Sequence, residues 1–322
     1  MKSSTILTIF SGVLHIVLVI LSHIHFSDYG SGRIKPSRSA LSRTRDGGVL
    51  PIPCHSHNDY WRDVPLFDAL DAGCISVEVD LWLTSGSDEL RVGHRKGSLT
   101  STRTLESLYL DPVVRLLDRI NKNVSPGSTT IGAFEKEPNQ TMILLLDFKT
   151  DPNDLLPFVE QAIEPLRRKD YLSFWDGKAF ISRPITIILS GNAIDLSSTM
   201  INATTHRDLF FDAPLDKLPG KTPQWNASNA YYASTSFKSS IGFPRNGRLS
   251  KSQLNKLRSQ IEAAQSLGLK VRYWDTPTWP TSLRNYVWQL LIDEGVDVLN
   301  VDDLYAAAYL DWKEVGHDWF DS

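Results

Sequence analysis

Two carboxylates and three histidines in the first third of the chain are suited to metal-assisted acid–base chemistry. Glu78 and Asp80 alternate with apolar residues. Because successive side chains of a β-strand point to opposite faces, a strand here places both carboxylates on one face. His55 and His57 precede this segment, and His94 follows it. Carboxylates beside imidazoles predict a cation site with proton-transfer groups next to it.

A structural interpretation of the same segment competes with this one. An antiparallel strand with one face in water also alternates apolar and acidic residues, and its carboxylates then only face solvent. In a parallel sheet both faces are buried, and an unpaired carboxylate there is costly unless a cation neutralises it. The organisation of the rest of the chain therefore decides between the two.

Eight apolar segments alternate with stretches of helical periodicity, such as 105–121, 251–267 and 281–294. The eight predicted strands are 49–54, 75–83, 142–149, 185–189, 209–211, 231–234, 269–274 and 296–301. Eight β/α units in 322 residues predict a single α/β domain, a (β/α)₈ TIM barrel, rather than an open doubly wound sheet. We find no G-x-G-x-x-G turn and no P-loop lysine motif, which argues against nucleotide binding.

In such a barrel the functional face is formed by the carboxyl ends of the strands. Polar residues occur at those predicted ends: His55, His57, Asn58, Glu78, Asp80, His94, Asp147, Lys149, Trp274, Asp275, Asp302 and Asp303. For Asp302 and Asp303 we expect a structural role, as caps of the last helix.

Charge and cysteine content narrow the function further. The net charge of −3, from 34 basic and 37 acidic residues, gives no field that would hold a polyanion, so a nucleic acid partner is not expected. The only cysteines are Cys54 and Cys74. If they lie at opposite ends of neighbouring strands, they exceed the roughly 7 Å Cα separation of a disulfide. We therefore expect two free, buried thiols in a monomeric protein.

The N-terminal segment predicts targeting rather than catalysis. Residues 6–21 are mostly apolar and follow Lys2, so 1–26 is expected to be a signal peptide or membrane anchor. Residues 27–48 are expected to form a flexible stalk, and 49–322 the barrel domain. We expect a secreted or membrane-anchored glycoprotein. The basic residues between 33 and 45 favour the alternative, an anchor that faces the cytosol. The sequons that favour the lumen are at Asn123, Asn139, Asn202 and Asn226.

Three short segments resemble the phospholipase C-like phosphodiesterases, which include phosphatidylinositol-specific phospholipase C, glycerophosphodiester phosphodiesterase and sphingomyelinase D. They are His57-Asn58-Asp59-Tyr60, Val77-Glu78-Val79-Asp80 and Gly93-His94. Over a longer string, 55–111 with 274–277 and 299–304, the chain resembles the fungal altered inheritance of mitochondria protein 6 family. This resemblance extends over nearly all of 49–312.

The resemblance implies a barrel with one divalent cation and two catalytic histidines. It places His57 and His94 in the catalytic positions, with His55 as the second candidate for the first of them. It also implies cation ligands at Glu78, Asp80, Asp147 and Asn58, and substrate contacts at Lys149 and Trp274. Oxygen ligands favour Mg²⁺ or Ca²⁺ over zinc.

The expected reaction is cleavage of a phosphodiester in a (lyso)phospholipid or a soluble glycerophosphodiester, with a membrane surface as a further partner. One imidazole would deprotonate the attacking hydroxyl and the other would protonate the leaving oxygen, each contributing about 10²- to 10⁴-fold.

Two other functions stay open. The His-x-His form of His55-Ser56-His57 also suits a metal-dependent amidohydrolase, which would need histidines after later strands. Alternatively, a catalytically inactive barrel would bind a lipid headgroup or a protein partner.

Overall fold

A computed structural model describes residues 48–310, apart from Ser85, Ser87, Pro126, 201–205, 219–223 and Asn246. The predicted signal or anchor segment, all of the predicted stalk but Gly48, and the sequon at Asn202 lie outside the described residues. Among the helices of the described part, none has the length and apolar character that a bilayer span requires.

Eight parallel strands form a closed barrel, which confirms the predicted fold. The strands of the described residues are β1 (Ile52–Ser56), β2 (Cys74–Leu83), β3 (Leu90–Val92), β4 (Met142–Phe148), β5 (Phe174–Trp175), β6 (Phe180–Ile181), β7 (Ile185–Gly191), β8 (Leu209–Pro214), β9 (Ala230–Ser236), β10 (Lys270–Trp274) and β11 (Val298–Val301). The barrel order is β1, β2, β4, β7, β8, β9, β10, β11, and β1 closes the ring by pairing with both β2 and β11. β3 is antiparallel to the end of β2, and β5 and β6 form a separate hairpin.

Helices connect most of the barrel strands. Those described are α1 (Phe67–Ala72), α2 (Asp111–Ile120), α3 (Pro152–Ala162), α4 (Glu164–Arg168), α5 (Ser197–Met200), α6 (Phe237–Ser240), α7 (Lys251–Gln265), α8 (Thr281–Asp293) and α9 (Leu304–Ala308). The helix predicted over 105–121 begins as a π-helical segment, Glu106–Leu110, before α2. Ser250 and Gln253 form a capping box that starts α7.

The alternation along β2 separates an apolar outer face from a polar inner one. Val77, Val79 and Leu81 are fully buried against the surrounding helices. Glu78 and Asp80 project to the other face, toward the barrel interior. Farther from the mouth the interior is closed by an apolar cluster of Ile143, Leu145, Ile188, Tyr232 and Val298. The parallel sheet therefore encloses the carboxylates, and the exposed-strand interpretation is wrong.

The expectation of two free thiols is also wrong. Cys54 and Cys74 form a disulfide with a Cα separation of 4.8 Å. β1 continues past Cys54 to Ser56, and Ile52, not Cys54, pairs with Cys74. A register shift follows between Ile52 and His55. Cys54 therefore lies in the middle of its strand, next to the start of β2 rather than at the far end of the sheet.

Candidate active site

Three carboxylates meet at the carboxyl ends of β2 and β4. Asp80 and Asp147 are partners in the parallel register of these strands, and Glu78 is two residues earlier on β2. One ligand oxygen from each of the three lies within 4.8 Å of the other two. Asp80 is fully buried; its Oδ2 accepts a hydrogen bond from the Tyr60 hydroxyl, and its Oδ1 has an ion pair of 3.3 Å with Lys149 Nζ but no well-oriented hydrogen bond among the described residues. A buried acceptor inside a triad of carboxylates fits a cation with hard oxygen ligands.

Burial and the charges of neighbouring acids disfavour the ionised forms of Asp80 and Asp147. Burial raises the pKa of Asp147 to about 6; Lys149 opposes this shift, and Glu78 and Asp80 add to it. The pKa of Asp80 is raised by burial and by the charge of Glu78, while Lys149 and Tyr60 counteract part of the shift. A divalent cation would favour the ionised form of these two carboxyls.

Lys149 lies beside this triad. Its Nζ is 2.8 Å from Asp147 Oδ2 and 3.3 Å from Asp80 Oδ1. Burial lowers the pKa of Lys149, but the charges of Asp147 and Asp80 outweigh it and the net shift is upward, so the ammonium stays charged. One protein cation thus already offsets part of the negative charge of the triad.

Gly191, at the end of β7, makes room for Asp147. A Cβ atom added to Gly191 would lie 2.0 Å from Asp147 Oδ1, and its φ of +62° is a conformation that disfavours other residues. Because β7 pairs with β4, this glycine sets how far the Asp147 carboxylate can reach. Sequence reasoning missed it, since a glycine after an apolar run looks like an ordinary strand end.

His57 lies at the barrel mouth, between two carboxylates. Its Nδ1 is 2.7 Å from Asp302 Oδ1, and its Nε2 is 3.6 Å from Glu78 Oε2. Burial lowers the pKa of His57, but the hydrogen bond to Asp302 and the charges of Glu78 and Asp302 outweigh it, so the net shift is upward. His57 is therefore held in one orientation and favoured as a proton acceptor.

The expected capping role is wrong for Asp302 and confirmed for Asp303. Asp303 accepts a hydrogen bond from the backbone of Ala306 and caps α9. Asp302 instead points to His57, and Arg62 donates a hydrogen bond of 2.6 Å to its backbone carbonyl. Closure of the predicted barrel could have indicated this contact, because the last strand of a closed barrel lies beside the first and the loops that follow them are neighbours.

His94 contacts a different acid of the triad, Asp80. Its Nδ1 is 3.4 Å from Asp80 Oδ2 and 3.3 Å from the Tyr60 hydroxyl, and its ring packs 5.2 Å from that of Trp61. The side chain is 43% exposed, so it remains accessible from solvent. His57 and His94 thus approach the triad through Glu78 and Asp80 respectively.

His55 lies deeper than the other two histidines. It is fully buried, its Nδ1 is 2.6 Å from Ser76 Oγ, and its Nε2 is 4.0 Å from Glu78 Oε2. Burial and the charges of Arg272 and His57 hold its pKa well below the ordinary value, so the imidazole is neutral. This geometry suits support of Glu78 better than proton exchange with a substrate at the mouth.

Asn58 and Tyr60 form the inner support of the site. The left-handed backbone of Asn58 (φ 48°) lets its N–H donate to Glu78 Oε2 at 3.0 Å. The Tyr60 hydroxyl lies between Asn58 Oδ1 and Asp80 Oδ2, 2.7 Å from the latter. Since a hydroxyl has one proton, the two oxygens share a single donor. Sequence reasoning gave Tyr60 no role of its own.

Trp274 is not brought to the triad. It ends β10, which is three strands from β2 around the barrel, and it is 42% exposed at the mouth. The inward residue two positions earlier is Arg272, a buried side chain that pairs with Asp212 at 3.0 Å and donates to Asn300 and Ser234. This internal network also escaped sequence analysis, because its members come from four separate strands.

Comparison with known proteins identifies the family. Residues 43–212 match the family model described as the AIM6-like phosphodiesterase domain. The curated Altered inheritance of mitochondria protein 6 homolog of Arthroderma benhamiae is 40% identical over 273 residues, which cover 81% of this chain and 84% of the relative. Altered inheritance of mitochondria protein 6 of Saccharomyces cerevisiae (strain ATCC 204508 / S288c) is 34% identical over 303 residues, 87% of this chain and 76% of the relative.

Two solved structures are more distantly similar. A glycerophosphodiester phosphodiesterase from Parabacteroides distasonis aligns with a TM-score of 0.41 and 14% identity, over 78% of this chain and 92% of that one. The phosphatidylinositol-specific phospholipase C of Listeria monocytogenes aligns with a TM-score of 0.43 and 15% identity, over 82% and 91%. On the sequence matches, the chain belongs to the AIM6-like phosphodiesterase family, together with the Altered inheritance of mitochondria protein 6 proteins.

Proposed function

We propose that this protein is a metal-dependent phosphodiesterase that cleaves a (lyso)phospholipid or a glycerophosphodiester by two-histidine acid–base catalysis. The observation that carries the proposal is the convergence of His57 and His94 on one carboxylate triad, each through a different acid. The membership of the AIM6-like phosphodiesterase family supports the choice of a phosphodiester as substrate.

The residues that would hold the cation are Glu78, Asp80 and Asp147, with Asn58 Oδ1 as a further candidate ligand. Their oxygen donors suit Mg²⁺ or Ca²⁺. When bound, such an ion neutralises the phosphate and the charge that develops on it during displacement. Lys149, paired with Asp147 and Asp80, adds a positive charge next to the same place.

The protein supplies the proton transfers. If Asp302 accepts the Nδ1–H of His57, the Nε2 of that ring is unprotonated on the side of the triad, 3.4 Å from Asn58 Nδ2, and can accept the proton of the attacking hydroxyl. The resulting imidazolium is stabilised by Asp302 and Glu78. His94, half exposed and next to Asp80, is placed to give a proton to the leaving oxygen.

An assay of the purified full chain tests this function. The substrates are lysophosphatidylcholine, phosphatidylinositol, sphingomyelin and glycerophosphocholine, each with Mg²⁺ or Ca²⁺ and with a chelator. We expect cleavage of at least one, lost with chelator and in His57→Ala. Binding of a headgroup without turnover in any condition would favour the inactive barrel instead. Amide hydrolysis with bound zinc would favour the amidohydrolase, although β7 and β9 end in Gly191 and Ser236 rather than in histidines.

We also propose that the chain enters the secretory pathway. Disulfides persist mainly in oxidising compartments, and the Cys54–Cys74 bridge supports such a location. The three sequon residues within the described part, Asn123, Asn139 and Asn226, are all exposed. A mass shift of the protein from its native host on treatment with peptide N-glycosidase would support this location, and reduced, unmodified cysteines in that protein would contradict it.

A further inference from the structure

The exposed large apolar side chains of the described residues are concentrated on one part of the barrel mouth. Trp61 and Val64 follow β1, Trp274 and Trp279 belong to the end of β10 and the loop after it, and Tyr305 follows β11. These three strands are consecutive in the barrel, in the order β10, β11, β1. Single exposed apolar residues are common on any surface, but five on three neighbouring loops at the same end of the barrel require an explanation.

A basic segment borders this apolar surface. Residues 217–261 contain eight lysines and arginines and no aspartate or glutamate, in a chain whose net charge is negative. Within it, α6 follows the carboxyl end of β9 directly, and Ser250 caps the start of α7, so the described residues between them, 241–245 and 247–249, lie at the mouth. A hydrogen bond of 3.1 Å from Ser236 to Asp275 joins this segment to the loop after β10.

The basic segment also forms a groove. The groove has a volume of 1170 Å³ and is lined by Lys238, Arg245, Arg248 and Lys251 together with apolar side chains such as Phe243. Because β9 is the neighbour of β10, the groove extends the apolar surface by one more strand. We call the combined surface the mouth arc: Trp61, Val64, Trp274, Trp279 and Tyr305, with Lys238, Arg245, Arg248 and Lys251.

We propose that the mouth arc docks the protein on an anionic lipid bilayer. Tryptophan and tyrosine side chains favour the interface between headgroups and acyl chains, and basic side chains are attracted to anionic headgroups. The arc surrounds about half of the mouth, so docking turns the carboxylate triad on β2 and β4 toward the lipid headgroups. Docking through the mouth arc rests on the proposed function and adds the surface through which the protein would reach a lipid substrate. It can be measured as binding, without turnover.

The experiment measures contact with vesicles, using the full chain in the presence of a chelator. Hydrogen exchange is followed by mass spectrometry with vesicles of phosphatidylcholine, with or without phosphatidylserine. We expect slower exchange in 59–66, 237–251 and 274–281 on the anionic vesicles, and little change on the neutral ones. Protection should weaken as salt is raised, because exposed charges are screened.

A charge-reversal pair provides the matched comparison. Each basic side chain at an anionic surface contributes about fivefold to the binding constant, so Lys238→Glu with Arg245→Glu should weaken vesicle binding by at least about 25-fold. The control pair, Arg168→Glu with Lys178→Glu, changes the net charge equally at the opposite end of the barrel, and should leave arc protection and anionic binding unchanged. Trp279→Ala should reduce quenching of tryptophan fluorescence by brominated lipids.

Three results would overturn the docking surface. In the first, vesicles bind through the N-terminal apolar segment alone, without protection of the arc and without a difference between the two charge pairs. In the second, inorganic phosphate protects the groove while anionic vesicles do not. In the third, only a protein partner protects the arc. Turnover of soluble glycerophosphocholine without arc protection would refute docking alone, whereas arc protection without turnover of any substrate would refute the proposed function alone.

Discussion

The imidazole of His57 and the carboxylate of Asp302 are 245 residues apart in sequence and 2.7 Å apart in space. They meet because β1 and β11 are parallel neighbours, so the loop after the first strand lies against the loop after the last. The neighbouring aspartate, Asp303, caps a helix instead. Two adjacent acids thus have separate functions that can be tested in parallel.

Asp302→Ala and Asp303→Ala should affect different properties, the first catalysis and the second stability. Loss of Asp302 should lower kcat/KM by about 10²-fold or more, since His57 loses the partner that orients it. Loss of Asp303 should leave kcat/KM nearly unchanged and reduce the free energy of unfolding by at least about 1 kcal/mol, because both the helix cap and the 2.6 Å ion pair with Arg284 are lost. Steady-state kinetics and urea unfolding measure both quantities. Equal kinetic losses in the two variants would remove Asp302 from the mechanism.

The same pair predicts a pH dependence of stability. The pKa of His57 in the folded protein is raised above its ordinary value of 6.5. Its interaction with Asp302 therefore stabilises the fold fully below that value, and this contribution is lost as pH rises through the raised pKa. In Asp302→Ala, with a chelator present, the free energy of unfolding should no longer decline as pH rises through this range. NMR titration of the His57 ring should show a lower pKa than in the unaltered protein.

Asp80→Asn should abolish cation binding and activity while the barrel stays folded. Asp80 is the fully buried acid of the triad, and an amide of the same size removes its ligand charge with little change in shape. The measurement is the rise in Tm on addition of Mg²⁺ or Ca²⁺, which the variant should lack. Asp154→Asn, an exposed change in α3, is the control and should keep the rise. A rise that survives in both Asp80→Asn and Glu78→Gln would place the cation elsewhere.

Replacing the histidines one at a time distinguishes catalysis from support. His57→Ala should lower kcat by about 10²- to 10⁴-fold with little loss of stability, because the ring lies at the mouth. His55→Ala should cost about 1–3 kcal/mol of stability, because it leaves the buried Ser76 hydroxyl without the imidazole. His55→Ala should lower kcat less than His57→Ala does. The reverse ranking of the two kcat values would transfer the catalytic role to His55.

Gly191→Ala should weaken cation binding through Asp147. The added Cβ would meet Asp147 Oδ1 and the backbone oxygen of Phe148, which forces the carboxylate away from the triad. Gly127→Ala is the matched control, because Gly127 also has a positive φ (+86°) but no atom within 4 Å of the added Cβ. Both variants should lose about 1 kcal/mol to backbone strain, and Gly191→Ala about 1–3 kcal/mol more from the clash. Calorimetric titration with Mg²⁺ should show weaker binding only in Gly191→Ala.

Removing the disulfide should destabilise the barrel measurably. The bridge closes a sequence separation of 20 residues, for which Cys54→Ser with Cys74→Ser should cost about 2–4 kcal/mol. Urea unfolding measures this loss, and the absence of maleimide labelling in the denatured, unreduced protein checks that the bridge forms. Labelling of both cysteines in protein purified without reductant would contradict the bridge.

The sequence predicts what depends on local periodicity and little of what depends on barrel closure. The alternation around Glu78 and Asp80 and the apolar run that ends at Asp147 place three acids correctly, because strand period and parallel order determine which ends meet. The sequence predicts a helix cap at Asp302, since His57, the residue that Asp302 contacts, lies near the other end of the chain. The predicted separation of the two cysteines is wrong because the apolar pattern ends β1 at Cys54, whereas the strand continues to Ser56.

The pairing of β1 with β11 also determines when the candidate site is complete during synthesis of the chain. The three acids, Lys149 and the histidines of the site all precede Asp302 by about half of the chain or more, so a ribosome has made them long before the final strand emerges. Until β11 is added, His57 lacks its partner and the barrel wall is open beside it. A C-terminally truncated chain that ends before β11 should therefore lack the phosphodiesterase activity proposed above.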